Sequence, residues 1–423
     1  MIEKEKIFNT EDLDYYLKYR LYFNLVILSV FLFLHCFFGF AIYFIFAILL
    51  CYILFDSMEN AITYLVVYYP FCMIEITINE ILFAVLIGVF LIRYIVKFYV
   101  IEKQKVNWFL LAMIAVFVIY CLLPFGPYSM NSFARMLSFL GIFFALLIAM
   151  KNTNLIRFKF NIKMLAFAIA VASVFALTYY FSPFLSDYLN RQPGRFKALF
   201  VEPDILAAFC AVLASIILYY LLSDKAGKVE ALLFIALTVI GLCTFSKACL
   251  ILMVIQYIAL FFYGLHKNYK QTLIITGAVA LVGAVACLIG HDYVEKYFER
   301  FLFGEKQFEN FADFLNVITT YRYELWALYF DEIINNPLIL FFGAGIGAGP
   351  IGPRQLGAHN LYISMIYELG IIGSIMFVGI ITYMIIKIKK KTNAHINSAI
   401  AIPIIVFAML SFFEDIIFYM NPI

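Results

Sequence analysis

Four polar stretches carry the residue types that could do chemistry in this chain. The first is Arg191-Gln-Pro-Gly-Arg195-Phe-Lys197, followed closely by Glu202, Pro203 and Asp204. A guanidinium offers a planar fork of donors that matches phosphate oxygens, so two arginines in one loop suit a diphosphate. Glu202 and Asp204 would orient them. The plainer reading is a helix start, with Pro203 in the first turn and acidic residues at the positive end of the helix dipole. The second stretch is Thr244-Phe-Ser246-Lys247, a polar break between apolar runs. Its plainer reading is a tight interhelical turn with a snorkelling lysine. The third is Thr319-Thr-Tyr-Arg322-Tyr-Glu324-Leu-Trp326. Arg322 falls at the first turn of a helix, where its charge opposes the dipole, so its place calls for an acidic partner or an anionic ligand. The fourth runs through Gly343, Gly345, Gly347, Gly349, Gly352, Arg354 and Gly357 to His359-Asn360. Successive backbone N–H groups there could form an anion nest, though close packing of irregular backbone is the simpler role. No βαβ context surrounds it, so it is no dinucleotide fingerprint. A lone histidine is more often structural than catalytic. His359 has a better claim than most, because it sits beside arginines at the edge of an apolar run and titrates near neutral pH.

The elements that must position these residues are membrane helices. Of the 423 residues, 65% are hydrophobic and 13% charged. A soluble domain has about 45–50% apolar and about 25% charged residues. The excess runs the whole length, which predicts one integral membrane domain over 1–423. Runs of about 20 apolar residues predict about 12–13 transmembrane helices. They fall near 21–38, 39–55, 61–77, 80–100, 108–124, 131–150, 164–182, 204–222, 229–246, 248–265, 272–290, 361–386 and 398–418. Leu21 to Phe55 is one unbroken run with Gly39 as its turn. The expected fold class is therefore an all-α polytopic membrane protein. The eight cysteines all lie in apolar segments and read as packed thiols, with neither a disulfide framework nor a metal-ligand spacing. The charged start, Met1-Ile-Glu-Lys-Glu-Lys, lacks the basic region and cleavage site of a signal peptide.

With the N-terminus in the cytoplasm, alternation puts twenty of the 30 Lys and Arg on inner segments. Every short inner loop is then basic except Asp56 to Asn60. The outer segments are a smaller loop over 183–203 and a large, partly helical cap over 291–360. Residues 291–303 place Val294, Tyr297, Phe298, Phe301 and Leu302 on one helical face, as in an interfacial helix. A second cap helix runs from Arg322 to Asn336, with Tyr323, Trp326, Ala327, Phe330, Ile333 and Ile334 expected as its buried face. The outer basic residues include Arg191, Arg195, Lys197, Lys247, Arg322 and Arg354, which topology does not ask for there.

These stretches resemble the O-antigen ligase and polymerase superfamily. Arg195-Phe-Lys-Ala-Leu-Phe-Val-Glu-Pro-Asp-Ile-Leu-Ala is similar to its Arg-x-x-Gly-x-Phe-x-x-Pro-Asn-x-Leu-Ala block, and Thr244-Phe-Ser-Lys to its Thr-x-Ser-Arg. Arg322-Tyr-Glu-Leu-Trp, Asn336-Pro-Leu-Ile-Leu-Phe-Phe-Gly-Ala-Gly-Ile-Gly, His359-Asn360 and Glu368-Leu-Gly-Ile-Ile-Gly resemble its later blocks in the same order. The departures are Ala198 for Gly, Asp204 for Asn and Lys247 for Arg. The resemblance implies a metal-independent, inverting glycosyltransferase of the GT-C type, without a cofactor, in the bacterial cytoplasmic membrane with its site facing outward. The implied donor is an undecaprenyl-diphosphate-linked oligosaccharide. Membrane lipids and a chain-length regulator protein are the implied partners, and no nucleic acid is expected.

Leaving-group stabilisation then falls to Arg195, Arg322 and Arg354, with Arg191, Lys197 and Lys247 as further diphosphate-binding candidates. His359 is the expected base and Glu202 the alternative. A polymerase would use a second lipid-linked unit as acceptor, and a ligase would use lipid A–core. A lipid-linked glycan transporter or flippase would instead need charges deep inside spans. Midspan regions here are almost free of charge.

Overall fold

The computed structural model describes residues 10–35, 37–38, 40–72, 76–103, 107–122, 130–151, 155–179, 195–200, 203–223, 227–289, 311, 313, 316, 322–348, 357–391 and 401. Its helices are α1 (Thr10–His35), α2 (Ile42–Phe55), α3 (Met58–Cys72), α4 (Ile76–Ile95), α5 (Trp108–Leu122), α6 (Met130–Lys151) and α7 (Leu155–Tyr179). They continue with α8 (Pro203–Ser223), α9 (Lys228–Cys243), α10 (Lys247–Ile289), α11 (Arg322–Asn335), α12 (Pro337–Phe342) and α13 (Leu361–Lys391). Among the described residues there is no strand, and the chain is an all-α polytopic membrane protein. Segments Lys159–Leu177, Pro203–Leu222, Leu250–Gly277 and Leu361–Lys390 are long and apolar enough to cross a membrane. Shorter apolar helices cover Tyr19–His35, Ile42–Phe55, Trp108–Leu122 and Phe139–Ile148. The expected span at 398–418, the turn at Gly39 and the amphipathic segment 291–303 lie outside the described residues.

The breaks between helices have local causes. After α2, the Asp56 carboxylate accepts from Ser57 N at 2.7 Å and from Asn60 Nδ2 at 2.9 Å. The Ser57 hydroxyl accepts from Asn60 N at 3.2 Å, which caps α3. Asn107 caps α5 through Leu110 N at 3.2 Å. Helix α10 bends at Asn268, whose φ of −152° leaves the helical region, so Leu250–Gly277 runs across two limbs rather than one straight helix. The Asn268 side chain accepts from Gln271 N at 3.3 Å and so starts the second limb. The two limbs match the separate spans expected at 248–265 and 272–290.

The chain divides into two compact units, residues 1–102 with 160–206, and residues 103–159 with 207–423. In the first, two arginines meet the acidic loop at Asp56. Arg20 of α1 pairs with Asp56 at 2.8 Å, and Arg93 of α4 donates to the carbonyls of Ile53 and Asp56. Arg20 also lies 4.9 Å from the Tyr52 ring centroid, and Tyr52 stacks on Tyr64 at 4.0 Å. The tyrosine hydroxyls of Tyr52 and Tyr68 donate to Asn24 Oδ1 at 2.8 and 3.1 Å. Arg20, within α1, and Arg93, in the last turn of α4, thus offset the charge of Asp56, as partly buried charge requires.

In the second unit, α5, α6 and α13 pack through Phe117, Phe139, Phe143 and Phe377, whose rings meet mostly edge to face. Small residues let helices approach elsewhere. A Cβ on Gly241 of α9 would sit 3.2 Å from Cys210 of α8. The expected buried face of the second cap helix is corrected. Helix α11 buries Tyr329 and Ile333, with Leu325 and Trp326 packed beside them, against Ala358, Ile363 and Tyr367. Tyr323, Phe330 and Ile334 are exposed. Helix α11 has two apolar facets, and the one that packs is set by the positions of Trp326 and Tyr329.

Candidate active site

Arg322 is the first residue of α11 and stands at i, i+4, i+7 and i+11 with Trp326, Tyr329 and Ile333. That spacing puts it on the facet that packs against the His359 segment and α13. The contact is specific. Trp326 Nε1 donates to the carbonyl of Ala358 at 2.8 Å, and the Tyr329 and Tyr367 rings meet edge to face at 5.0 Å. Glu324, in the first turn, is fixed by Asn316: Asn316 Nδ2 donates to Glu324 Oε1 at 2.7 Å and Glu324 N donates to Asn316 Oδ1 at 3.0 Å.

His359 has a φ of +48° and is half-buried. Left-handed backbone is uncommon for a residue with a side chain, and such outliers concentrate at functional sites. Asn360 follows as the cap of α13, accepting from Tyr362 N at 3.0 Å and Ile363 N at 3.2 Å. The Ala358 carbonyl is thus held by Trp326 and Asn360 by the helix start, so the backbone on both sides of His359 is fixed. The second unit therefore brings Arg322 and His359 onto two elements bound to each other.

The glycine run below them is closed by the protein itself. Asn336 caps α12, with Pro337 at its first position. Helix α13 breaks at Gly370, where φ is +64°. The break exposes carbonyls, and the run supplies their donors. Ala344 N donates to Tyr367 O at 2.7 Å and Gly345 N to Glu368 O at 3.1 Å. Gly347 N donates to the Glu368 carboxylate at 3.0 Å. The hydroxyl of Tyr120 lies 2.9 Å from Phe342 O and 2.7 Å from Leu369 O. Close packing of irregular backbone is the observed role, and these N–H groups hold acceptors of the protein itself, two carbonyls and the Glu368 carboxylate. Glu368 and Tyr120 had no assigned part in the sequence reading, although the Glu-x-Gly pattern pointed to the first.

Arg195 belongs to the first unit. Its guanidinium donates to Asp204 Oδ1 at 2.7 Å, with side-chain exposures of 13% and 19%. Lys197 is buried, and its carbonyl accepts from Phe200 N at 3.0 Å. Ala198 between them has a φ of +48°. Thr244 to Lys247 form the tight interhelical turn, with Thr244 Oγ1 donating to Gly241 O at 2.6 Å and Ser246 N to Thr244 Oγ1 at 3.3 Å. Lys247 opens α10, half-buried. Arg191, Glu202 and Arg354 lie outside the described residues. Among the described residues, no three His, Cys, Asp or Glu side chains are grouped to hold a metal ion.

No curated protein and no solved structure matches the chain. A family model described as O-antigen ligase matches residues 231–378, which include the Thr244 turn, Arg322, the glycine run, His359 and Glu368. A match of that kind supports a membrane protein with a function in polysaccharide assembly and a reaction of the glycosyl-transfer type. Residues 231–378 thus match the O-antigen ligase family model, a match that supports the O-antigen polymerase and ligase superfamily.

Proposed function

We propose that the protein is a surface-polysaccharide polymerase joining undecaprenyl-diphosphate-linked repeat units at the outer face of the cytoplasmic membrane. The observation that carries the reading is the attachment of Arg322's helix to the His359 segment through Trp326 and Ala358. A cation that can fork onto a diphosphate and an imidazole that can accept a proton are then carried on two elements joined by one hydrogen bond. In the proposed step, a sugar hydroxyl of the acceptor forms a bond to the anomeric carbon as the bond to the diphosphate breaks, with inversion. His359 takes the hydroxyl proton, and Glu202 is the alternative base. The departing diphosphate gains one negative charge on the oxygen that leaves the anomeric carbon; Arg322 and Arg354 are the residues proposed to offset it, with Arg195 and Arg191 as further candidates. Lys197 and Lys247 add charge without the fork, so they rank below the arginines.

The test is the glycan of a strain lacking the protein. Single repeat units on a complete lipid core fit the polymerase. An unmodified core, with long glycan still built on the lipid carrier, would point to the ligase instead. Unchanged glycan would reject both. Purified protein should turn over in EDTA, and restoration by a divalent cation would count against an all-protein mechanism.

A further inference from the structure

The break in α13 is bridged by a side chain from another helix. Gly370 has a φ of +64° and a ψ of −178°, so the helical ladder stops there and resumes beyond it. In an unbroken helix the Gly373 N–H would donate to the Leu369 carbonyl, four residues back. At a break, the carbonyls before it and the N–H groups after it need other partners. The Tyr120 hydroxyl of α5 meets both sides. It lies 2.7 Å from Leu369 O, and the Gly373 N–H bonds to its oxygen. The ring lies against the same glycine, where a Cβ would fall 2.5 Å from Tyr120 Cε1. A third group, Phe342 O at the end of α12, lies 2.9 Å from the hydroxyl.

The two limbs of α13 are not collinear. The Ser374 hydroxyl donates to Met365 O at 3.2 Å, although the residues are nine apart in the chain. Along a straight helix that separation would be about 13 Å. The first limb, Leu361 to Leu369, starts from His359 and Asn360 and meets the Arg322 helix through Tyr367 and Tyr329. Its last turn holds the glycine run, at Tyr367 O and Glu368 O. Leu361, Met365 and Leu369 pack with Phe117 of α5 and Phe139 of α6. Apolar packing is non-directional, whereas a hydrogen bond fixes distance and angle. The bonds across Gly370 therefore set the angle between the limbs, and Tyr120 supplies its share from outside α13.

We propose that Tyr120 is a positioning residue: its hydroxyl replaces the missing bond of α13 and fixes the angle at which the limb bearing His359 leaves the limb that ends at Lys391. The inference rests on the proposed function for the turnover it affects. The partners of the hydroxyl are backbone groups, so its loss leaves Arg322 and His359 chemically intact and tilts the elements that carry them. Those two residues tilt together. Binding of a diphosphate is then kept, while alignment with the acceptor sugar is lost.

Tyr120→Phe removes one oxygen and keeps the ring. A misplacement of about 1 Å can cost about 10²-fold, so kcat per folded molecule should fall at least about tenfold, with KM changed by less than about threefold. 4-Aminophenylalanine at position 120 keeps a donor there and should restore most of the loss. Encoded spin labels at the exposed positions Leu328 of α11 and Val378 of the second limb should show a changed distance distribution in the phenylalanine variant. A kcat within about threefold of wild type overturns the inference even if the thermal midpoint falls, because the hydroxyl would then hold only the fold. So does a loss carried by KM alone, a loss that the amine does not restore, or an unchanged label distance. If Tyr120→Phe does not accumulate, 4-fluorophenylalanine, which fills the space of the hydroxyl without its proton, is judged by the same measurements. Failure of both to accumulate overturns the inference. A wild type that transfers glycan to lipid core, or not at all, fails the proposed function instead, and the label distances then decide whether Tyr120 sets the angle.

Discussion

The loop at Arg195 and the junction at Gly343 are both irregular, both carry left-handed residues, and are held together by opposite means. Side chains hold the first. Arg195 grips Asp204 at 2.7 Å, and the Phe200 ring meets Tyr69 edge to face at 6.3 Å. Main-chain contacts do most of the holding in the second, with the Tyr120 hydroxyl and the Glu368 carboxylate added to them. Ala344 and Gly345 donate to α13 carbonyls, and a Cβ on Gly343 would fall on the Glu368 carbonyl, 2.7 Å from Gly370 N. A Cβ on Gly347 would fall 2.7 Å from Ser132 N. A side-chain clasp leaves room for substitution in the backbone it spans. Main chain against main chain does not.

The largest effect expected is at the residue above the junction. His359→Ala should lower turnover about 10²–10⁴-fold, the range typical of a general base. The variant should accumulate as wild type does, because Asn360 and Trp326 fix the backbone on either side. Arg322→Lys should recover only part of what Arg322→Ala loses, since an ammonium cannot reproduce the fork. Turnover per immunoblotted protein measures both. Near wild-type polymer from His359→Gln would remove the base assignment and leave Glu202 to test.

Gly343→Ala should remove activity to a similar degree by another route. The methyl would press on α13's backbone at a φ of +83°, which costs on the order of 3 kcal/mol or more. Protein level and thermal stability should fall along with turnover. Full stability in this variant would mean that the junction is slack and that the contrast with the Arg195 loop is wrong.

Much of the architecture could be read from hydropathy, because apolar runs of spanning length stop at residues that cannot continue a helix in lipid. Asp56 to Asn60 and the Thr244 turn were found that way. Asn268 was bracketed by two spans though not named. What hydropathy could not separate was one apolar facet from another. In α11, Phe330 and Tyr329 are adjacent and both aromatic, yet the more polar Tyr329 is the one buried, because it faces Ala358 and Tyr367. Gly370 was hidden for a related reason. Glycine is common in membrane helices, so one glycine inside the apolar run 361–386 gives no sign of a break. The candidate site was named by residue type alone, from the arginines and His359. The ties that position it were not, since the Trp326 to Ala358 bond spans 32 residues of chain.

Arg195→Ala should have a smaller effect than either. The pair with Asp204 is mostly enclosed, so its loss should cost roughly 1–3 kcal/mol. Asp204 lies in the first turn of α8, where the helix dipole still favours its charge, which holds the cost toward the lower end. A thermal shift separates this from a direct part in chemistry. Loss of turnover far beyond the stability change, unrelieved by Asp204→Asn, would show that Arg195 acts on substrate and does more than clasp its loop.

The smallest effect belongs to Ala198→Gly. At a φ of +48° an alanine is strained by roughly 1 kcal/mol relative to glycine, which removing the Cβ would relieve. Two terms oppose the gain. Glycine has more freedom to lose on folding, about 0.5–1 kcal/mol. The Ala198 methyl is also fully enclosed, 1% exposed, and a buried methyl contributes about 0.8 kcal/mol. The terms nearly cancel, so stability should change by less than about 1 kcal/mol in either direction. Turnover should match the wild type if Arg195 and Lys197 keep their places. Paired with Gly343→Ala, the same exchange in reverse, this variant isolates what the surroundings contribute at a left-handed residue. A large loss from Ala198→Gly would mean that the loop depends on its backbone as the junction does, and the division between side-chain and main-chain clasps would fall.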